Sequence, residues 1–175
     1  QVPATTMDTV TVPKGYNWHI VATWGEPLWS GVPAFDETTT GTGASQEKSF
    51  GDNNDGMRLF SVGGRHILAV NNEYTNIELM FHYNESKQPV TADDVRKGKA
   101  AHGISIVEIA DNGGRWHIVK DSPYNRRITP DTPVRITGPA AGHAWMKTAA
   151  DPTGTDALGT WNNCGDGRTP WGTFL

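Results

Sequence analysis

The sequence predicts an all-β fold, and three observations support this prediction. Short apolar runs alternate with turn residues along most of the chain, which contains 20 glycines and 11 prolines among its 175 residues. Residues 57–70 and 104–119 both follow the pattern strand, turn, strand, with Gly63-Gly64 and Asp111–Gly114 as the turns. These two segments begin about 47 residues apart, a spacing close to that of β-propeller blades.

Three further elements follow from local patterns. His19–Trp24 is a run of apolar and aromatic residues that predicts another strand, and Val134–Thr137 predicts one in the last third of the chain. One short helix is expected to begin after Thr91, a good N-cap, with Asp93 and Asp94 at the positive end of the helix dipole. Because this helix is short and polar, we expect it to be an excursion on the surface between blades.

Composition and charge exclude several classes of protein. The formal net charge of −4 and the pI of about 5.8 give no bulk attraction to nucleic acid. No apolar stretch has the length required to cross a bilayer. The single cysteine excludes a framework of intrachain disulfides. An anionic substrate would therefore need a local cationic centre, which metal ions could supply.

Cys164 lies in the strongest candidate cluster for metal chemistry, and Glu73 is a second candidate. Cys164 lies in a segment rich in Gly, Asn and Trp, and a thiolate is a soft ligand for iron, zinc or copper as well as a nucleophile. A second cysteine at zinc-finger spacing is lacking, and pairing with His102 or His143 is not constrained by the sequence. Glu73 lies in Asn71–Asn76, which directly follows the apolar strand Ile67–Val70; there it could bind a metal, act as an acid or base, or belong to a simple turn.

Two other segments have both a functional and a structural interpretation. The oxygen-rich segment Asp52–Gly56 suits a hard cation such as Ca²⁺, but it departs from the EF-hand pattern, and a solvated Asx turn is the favoured interpretation. Arg126 and Arg127 could bind phosphate oxygens through their guanidinium groups, or they could be two surface arginines, one of which pairs with a local carboxylate. Adjacent residues of an extended chain point to opposite faces, so at most one of these arginines would face a site.

Several short motifs, taken together and in order, resemble the PhoX alkaline phosphatases. The resemblance covers nearly the whole chain from Trp24 onward and is specific as a set. The motifs are Trp24–Leu28, Phe50–Gly56, Asn71–Asn76, Ala101–Ile109, Tyr124–Thr129, Thr137–His143, Asn162–Gly165 and Thr169–Thr173.

The resemblance implies a periplasmic or secreted phosphomonoesterase with a mixed iron–calcium cofactor. It implies an irregular β-propeller with the site at one end of the central channel. Cys164 matches the motif of the family's iron-binding cysteine, and Glu73 is the carboxylate carried over to the metal site. Arg127, Asn163 and Thr169 are the candidate catalytic residues, although the resemblance alone does not assign their roles.

The same resemblance leads us to expect that residues 1–175 are the N-terminal portion of a single propeller domain. The family pattern continues beyond Thr173-Phe174-Leu175 with further acidic ligands and blades. We therefore expect the partner to be the missing C-terminal part or a second copy, and the isolated chain to be inactive. Two alternatives stay open, a non-catalytic half-propeller that binds or assembles, and a propeller lactonase that acts on neutral esters.

Overall fold

A computed structural model describes residues 2–175. Three α-helices and seven β-strands are present in this range, with a 3-10 turn at Ala144–Met146. The helices are α1 (Gly43–Gln46), α2 (Ile77–Met80) and α3 (Ala92–Ala101). The strands are β1 (Asn54–Val62), β2 (Arg65–Asn72), β3 (Gly103–Asp111), β4 (Trp116–Ile118), β5 (Arg126–Ile128), β6 (Pro133–Arg135) and β7 (Asp156–Leu158).

The two predicted strand–turn–strand segments are confirmed, and they form one antiparallel sheet. Strands β1 to β4 are neighbours in sequence order, β5 pairs with β3, and β6 and β7 form a separate two-stranded sheet. Gly63 and Gly64 connect β1 to β2 at φ of 56° and 78°, the left-handed region that a two-residue hairpin turn of this kind requires. Because this turn chemistry is local, it fixes the register that pairs Phe60 with Ile67.

The main core lies on one face of the five-stranded sheet. Val70, Val107 and Ile109 contribute the sheet side of this cluster, and Leu28 and Phe50 cover them from the N-terminal segment. Each of these five side chains is at most 7% exposed. Burying an apolar side chain of this size stabilises a fold by roughly 1.5–3 kcal/mol, so this cluster fixes the sheet as a platform for the residues at its ends.

The predicted helix exists, and its N-cap is confirmed. The hydroxyl of Thr91 accepts a hydrogen bond from the backbone N–H of Asp94, while the Asp94 carboxylate accepts from the Thr91 N–H in return, which forms a capping box. Burial by itself would raise the pKa of Asp94, but hydrogen bonds from Tyr83, Val90 and Thr91 outweigh it and lower the pKa to about 2. This end of the helix is therefore held by an ionised, buried carboxylate.

Helix α3 is exposed on one face, as its polar sequence predicts, but its other face is buried against the protein. Lys97 is 1% exposed, and its Nζ donates hydrogen bonds to Thr40 Oγ1 at 2.9 Å and to Tyr83 Oη at 3.0 Å. The ammonium group also lies 5.1 Å from the ring centre of Phe81. Burial lowers the pKa of Lys97, which the nearby Asp94 partly offsets. The buried face was not predicted because the sequence alone does not distinguish a buried lysine with polar partners from an exposed lysine.

His19–Trp24 does not form the predicted strand. The segment is extended or turned, and none of its residues enters a ladder with the described strands. The segment contributes side-chain contacts instead: Val21 and Ala22 pack against the core, and the Trp116 N–H donates to His19 Nε2 at 2.9 Å. The strand predicted at residues 134–137 is present in part, because β6 begins one residue earlier and ends at Arg135, whereas β5 and β7 lacked a recognisable pattern.

The regular secondary structure of the described residues is mainly β-strand, as predicted, but the strands do not close into a propeller. Residues 2–175 contain one five-stranded sheet and one two-stranded sheet, and β1 lies at an edge. Met57 and Leu59 on this edge strand are 50% and 46% exposed, although they pair with Val70 and Leu68 of β2, which belong to the core. No helix between residues 2 and 175 is long and apolar enough to cross a membrane.

Candidate metal centre

The hairpin of β1 and β2 positions two carboxylates at its open end. Asp55 lies in β1 within an irregularity of the ladder between Asn54 and Met57, and Glu73 follows the last residue of β2. The Glu73 N–H donates to the Asn53 carbonyl oxygen at 3.0 Å, so the backbone pairing continues past the strand end. An irregularity of this kind bends a strand and redirects its side chains, which places Asp55 beside Glu73.

A segment near the end of the chain brings Cys164 to the same place. The Gly56 N–H donates to the Cys164 carbonyl oxygen at 2.8 Å, and the Asn162 side chain donates to the Glu73 carbonyl oxygen at 3.1 Å. These bonds attach residues 162–164 to both strands of the hairpin. Because the segment has no regular secondary structure of its own here, its position depends on such contacts.

Asp55, Glu73 and Cys164 form a cluster of three possible metal ligands. One ligand atom from each lies within 4.8 Å of the other two, and Cys164 Sγ lies 3.0 Å from Asp55 Oδ2. Cys164 is exposed and Glu73 is half-buried, so the cluster is open to solvent. One thiol and two carboxylates form a donor set that suits iron, and carboxylate oxygens also suit calcium.

The electrostatics of the cluster keep the thiol protonated in the absence of a cation. The hydrogen bond from Cys164 to Asp55, followed by the negative charges of Asp55 and Glu73, raises the pKa of Cys164 to about 11. The Cys164 thiol would lose its proton if it coordinated a cation there, and the cation would offset the negative charges of the neighbouring carboxylates. The site is therefore a poor place for a free thiolate nucleophile and a suitable place for a cysteine that binds metal.

Arg127 lies in a buried network beside this hairpin. Its Nη1 donates to Asn72 Oδ1 at 2.7 Å and to Ser105 Oγ at 2.5 Å. Its Nη2 donates to the carbonyl oxygens of Ala100 at 2.7 Å and His102 at 2.9 Å. Burial lowers the pKa of Arg127 to about 9, and the guanidinium still carries its charge at neutral pH. These four hydrogen bonds all bind oxygen atoms of the chain itself.

The network links Arg127 indirectly to the cluster. Asn72 accepts from Arg127 through Oδ1, and its Nδ2 donates to Asn54 Oδ1 at 2.8 Å, next to Asp55. Arg126, the neighbouring arginine, is exposed, which agrees with the expectation that adjacent residues face opposite sides of the strand. The structure therefore places Arg127 behind the hairpin end, in contact with a neighbour of the cluster rather than with its three ligands.

Asn163 and Thr169 lie in the same C-terminal segment as Cys164, outside the three-residue cluster. Asn163 Oδ1 accepts a hydrogen bond from Thr160 Oγ1. Thr169 Oγ1 accepts from the Thr173 N–H at 2.8 Å and stabilises a local turn. Both side chains are half-buried. Their visible contacts are local, and whether they meet a substrate stays a prediction.

The two histidines considered as partners for Cys164 lie elsewhere. The His102 ring stacks on Trp161 with ring centres 4.4 Å apart, and its Nδ1 contacts the Gly98 carbonyl oxygen. His143 Nδ1 accepts from the Trp145 N–H as the cap of a 3-10 turn. Neither belongs to the three-residue cluster around Cys164.

Asp55 is the member of the cluster that the sequence did not single out. It belongs to Asp52–Gly56, where a solvated Asx turn was the favoured interpretation, but Asp52 is buried and its carboxylate does not bond the second residue along, as an Asx turn requires. Its Oδ1 accepts from the Asn53 N–H and its Oδ2 from the Asn76 N–H. The available signal was the density of carboxylate and amide oxygens, which does not show which carboxylate is free to bind a cation.

Comparison with known families identifies the chain. The model of the family described as alkaline phosphatase PhoX matches residues 1–175. The chain belongs to the PhoX alkaline phosphatase family. The expected resemblance is therefore confirmed, and no curated protein matches the chain.

A solved structure of a PhoX protein has the same backbone. The structure of Pseudomonas fluorescens PhoX in complex with vanadate, a transition state analogue, is 49% identical in sequence and superposes with a TM-score of 0.90. The match covers 99% of this chain and 30% of that chain. This PhoX chain therefore spans about a third of the length of the solved relative.

Proposed function

We propose that this chain supplies the cysteine-bearing part of the metal centre of an alkaline phosphatase that hydrolyses phosphate monoesters. The observation that carries the proposal is the cluster of Asp55, Glu73 and Cys164, with the thiol 3.0 Å from a carboxylate oxygen. Further support comes from the solved PhoX relative, which has this backbone and binds vanadate as a transition state analogue.

The proposed cofactor contains iron and calcium. Cys164 provides the soft ligand that distinguishes an iron site from one for calcium alone, and Asp55 and Glu73 can bind either ion. Such a metal centre would polarise a phosphoryl oxygen and stabilise the charge that develops during transfer. Calcium takes six to eight oxygen ligands, more than the two carboxylates of the cluster provide. Further ligands would come from outside this set.

The residues of the chain would then have distinct roles. Cys164, Asp55 and Glu73 would hold the metal ions, and Cys164 would do so as a thiolate. Arg127 is proposed to act by holding Asn72 and the hairpin end, because its guanidinium donates to protein oxygens. Asn163 and Thr169 are proposed to line the substrate side of the segment that carries Cys164.

The proposed partner is a polypeptide equivalent to the rest of the solved relative, of which this chain covers 30%. It would supply the remaining ligands and complete an irregular β-propeller, in which residues 1–175 form the N-terminal portion of one domain. Trp145 is 91% exposed and Trp171 is 79% exposed, and exposed apolar side chains of this size would be covered by such a partner. A second copy of the chain is the alternative partner, and the chain alone is proposed to be inactive.

Family membership also supports a location outside the cytoplasm. We propose that the protein is periplasmic or secreted, as the resemblance to PhoX implies, and that its substrates are phosphate monoesters available there. Bound metal ions would provide the positive charge that attracts such anions, because the chain itself has a formal net charge of −4.

A chimera tests the proposal directly. Residues 1–175 would replace the matching 30% of Pseudomonas fluorescens PhoX, a substitution that 49% identity and a TM-score of 0.90 make structurally compatible. The chimera is expected to hydrolyse p-nitrophenyl phosphate, to contain iron and calcium by elemental analysis, and to be inhibited by vanadate. Cys164→Ser should lose iron together with activity, and Glu73→Gln should lose metal, while the isolated 175-residue chain should show no turnover.

Three results would contradict this proposal. Hydrolysis of a lactone without hydrolysis of p-nitrophenyl phosphate would support the lactonase alternative. A folded chimera with neither activity nor metal would support a binding or assembly module. Metal-dependent turnover by the isolated chain would disprove the claim that a partner is required.

A further inference from the structure

Asn71, the penultimate residue of β2, contacts the segment that carries Cys164. Its side chain is 2% exposed, and its Nδ2 donates to the carbonyl oxygens of Cys164 at 3.2 Å and Gly165 at 2.8 Å. Asn72, the next residue, points to the opposite face of the strand, toward Arg127. Asn71 is therefore the side chain by which β2 reaches the backbone of the cysteine segment.

The backbone of Cys164 and Gly165 also makes close contact with Gly56 of β1. The Gly56 N–H donates to the Cys164 carbonyl oxygen, which thus accepts from both strands of the hairpin. A Cβ atom at position 56 would lie 2.6 Å from the Cys164 carbonyl oxygen and 2.6 Å from the Gly165 carbonyl carbon. The segment thus lies directly on Gly56, and Asn71 fixes it from the neighbouring strand.

The hydrogen bonding of Asn71 differs from that of another buried asparagine. Asn125 is 5% exposed, and its Nδ2 donates to the carbonyl oxygens of Leu28 and Val119 while its Oδ1 accepts from the Glu108 N–H at 2.9 Å. Asn71 makes the same pair of donor bonds, but among residues 2–175 its buried Oδ1 has no hydrogen-bond partner. An unpaired buried oxygen is unfavourable for stability, so the two donor bonds are the useful contribution of Asn71.

We propose that Asn71 is a positioning residue for the metal centre, which orients Cys164 by holding its backbone and that of Gly165. The inference rests on the proposed function, since Cys164 has to be a metal ligand for this position to matter. Residues that orient a metal ligand commonly change metal affinity by 10–100-fold when they are replaced. Here the orientation acts through the main chain of the ligand rather than through its side chain.

Asn71→Leu separates positioning from stability. Leucine has a similar size and removes both donor bonds, and it also removes the unpaired oxygen. The Gly165 residue is exposed, so water can bind its carbonyl oxygen, and the melting temperature should stay within a few degrees of the unmodified chain. Asn125→Leu is the matched control, because it removes the same pair of donor bonds at a distant position and leaves the buried Glu108 N–H unpaired.

Two measurements on the 175-residue chain report the position of the cysteine segment. Amide hydrogen exchange by NMR, in metal-free buffer, follows the Gly56 N–H that is bonded to Cys164. Titration with Co²⁺ follows the thiolate-to-cobalt absorption band, which requires the cysteine sulfur as a ligand. Asn71→Leu should accelerate exchange at Gly56 at least tenfold relative to the β1–β2 ladder, and weaken Co²⁺ binding at least tenfold. Asn125→Leu should lower the melting temperature and leave both quantities unchanged.

The outcomes separate this inference from the proposed function. If the unmodified chain gives no thiolate band while Asn71→Leu still accelerates Gly56 exchange, Asn71 positions the segment and the metal role of Cys164 fails. If Asn71→Leu leaves Gly56 exchange and Co²⁺ affinity at the unmodified level, the inference is overturned. It is also overturned if exchange accelerates equally across the whole sheet, as loss of general stability would cause. Asn71→Ala provides the same comparison should the leucine variant not fold.

Discussion

Replacement of Asp55 should make Cys164 more reactive. Asp55 accepts the thiol hydrogen bond and contributes the largest effects that raise the pKa of Cys164 to about 11 from the ordinary value of 9.0. At pH 8, this difference lowers the thiolate fraction roughly 100-fold. Restoring the ordinary pKa would recover that thiolate fraction. A thiolate of lower pKa is a weaker nucleophile, however, and with a Brønsted coefficient of about 0.4–0.5 its reactivity would fall roughly eightfold. Since Glu73 stays in place, Asp55→Asn should accelerate alkylation about three- to tenfold.

The assay uses iodoacetamide at pH 8 with a chelator present, followed by intact-mass measurement. The chain has one cysteine, so each added mass reports Cys164 alone. A pH–rate profile should show a midpoint near 11 for the unmodified chain and a lower midpoint for Asp55→Asn. Asp166→Asn is the matched control, because it removes the same charge two residues from Cys164, where the carboxylate pairs with Arg58 instead. Equal rates for all three proteins would refute the thiol–carboxylate contact and with it the geometry of the cluster.

Three other substitutions test the surroundings of the cluster. Gly56→Ala should push the cysteine segment away from β1, because the added Cβ would meet the Cys164 carbonyl oxygen at 2.6 Å, and it should accelerate the same alkylation while circular dichroism stays unchanged. Arg127→Met should destabilise the chain by about 3 kcal/mol in urea unfolding, since buried carbonyl oxygens lose their donors; an unchanged midpoint would contradict the network. The pKa of Asp94 is about 2 in the folded state and 3.8 normally, so above pH 4 this carboxylate contributes about 2 kcal/mol to the free energy of unfolding. This contribution is lost as the pH falls toward 2. Asp94→Asn should remove this part of the acid dependence of urea unfolding, and an unaltered pH profile would argue against it.

The parts of the fold that the sequence predicted are those with local causes. The β1–β2 turn depends on Gly63-Gly64, and the start of α3 depends on Thr91, which bonds to a residue three positions away. The missed strands β5 and β7 contain three residues each, and their partners lie far away in sequence. His19–Trp24 had the composition of a strand, but a strand also requires a neighbour with free backbone groups, which composition does not reveal.

The site was predictable to the extent that single residues carry distinctive chemistry. A lone cysteine and a glutamate after a buried strand stood out, and the structure brings Glu73 and Cys164 together. Asp55 did not stand out because its position depends on an irregular ladder between Asn54 and Met57. Because side chains alternate along a strand, the sequence predicted that Arg126 and Arg127 would point to opposite faces. Which of the two points inward depends on hydrogen-bond acceptors from β2, β3 and α3.

The distance in sequence between Glu73 and Cys164 gives a bound cation a second effect. An ion bound to both residues would close a loop of about 90 residues, as a covalent cross-link does, and so reduce the freedom of the unfolded chain. For a loop of this length, the chain-entropy treatment of cross-links gives a stabilisation of about 4.6 kcal/mol. Supply of metal would then affect the stability of the polypeptide as well as its chemistry.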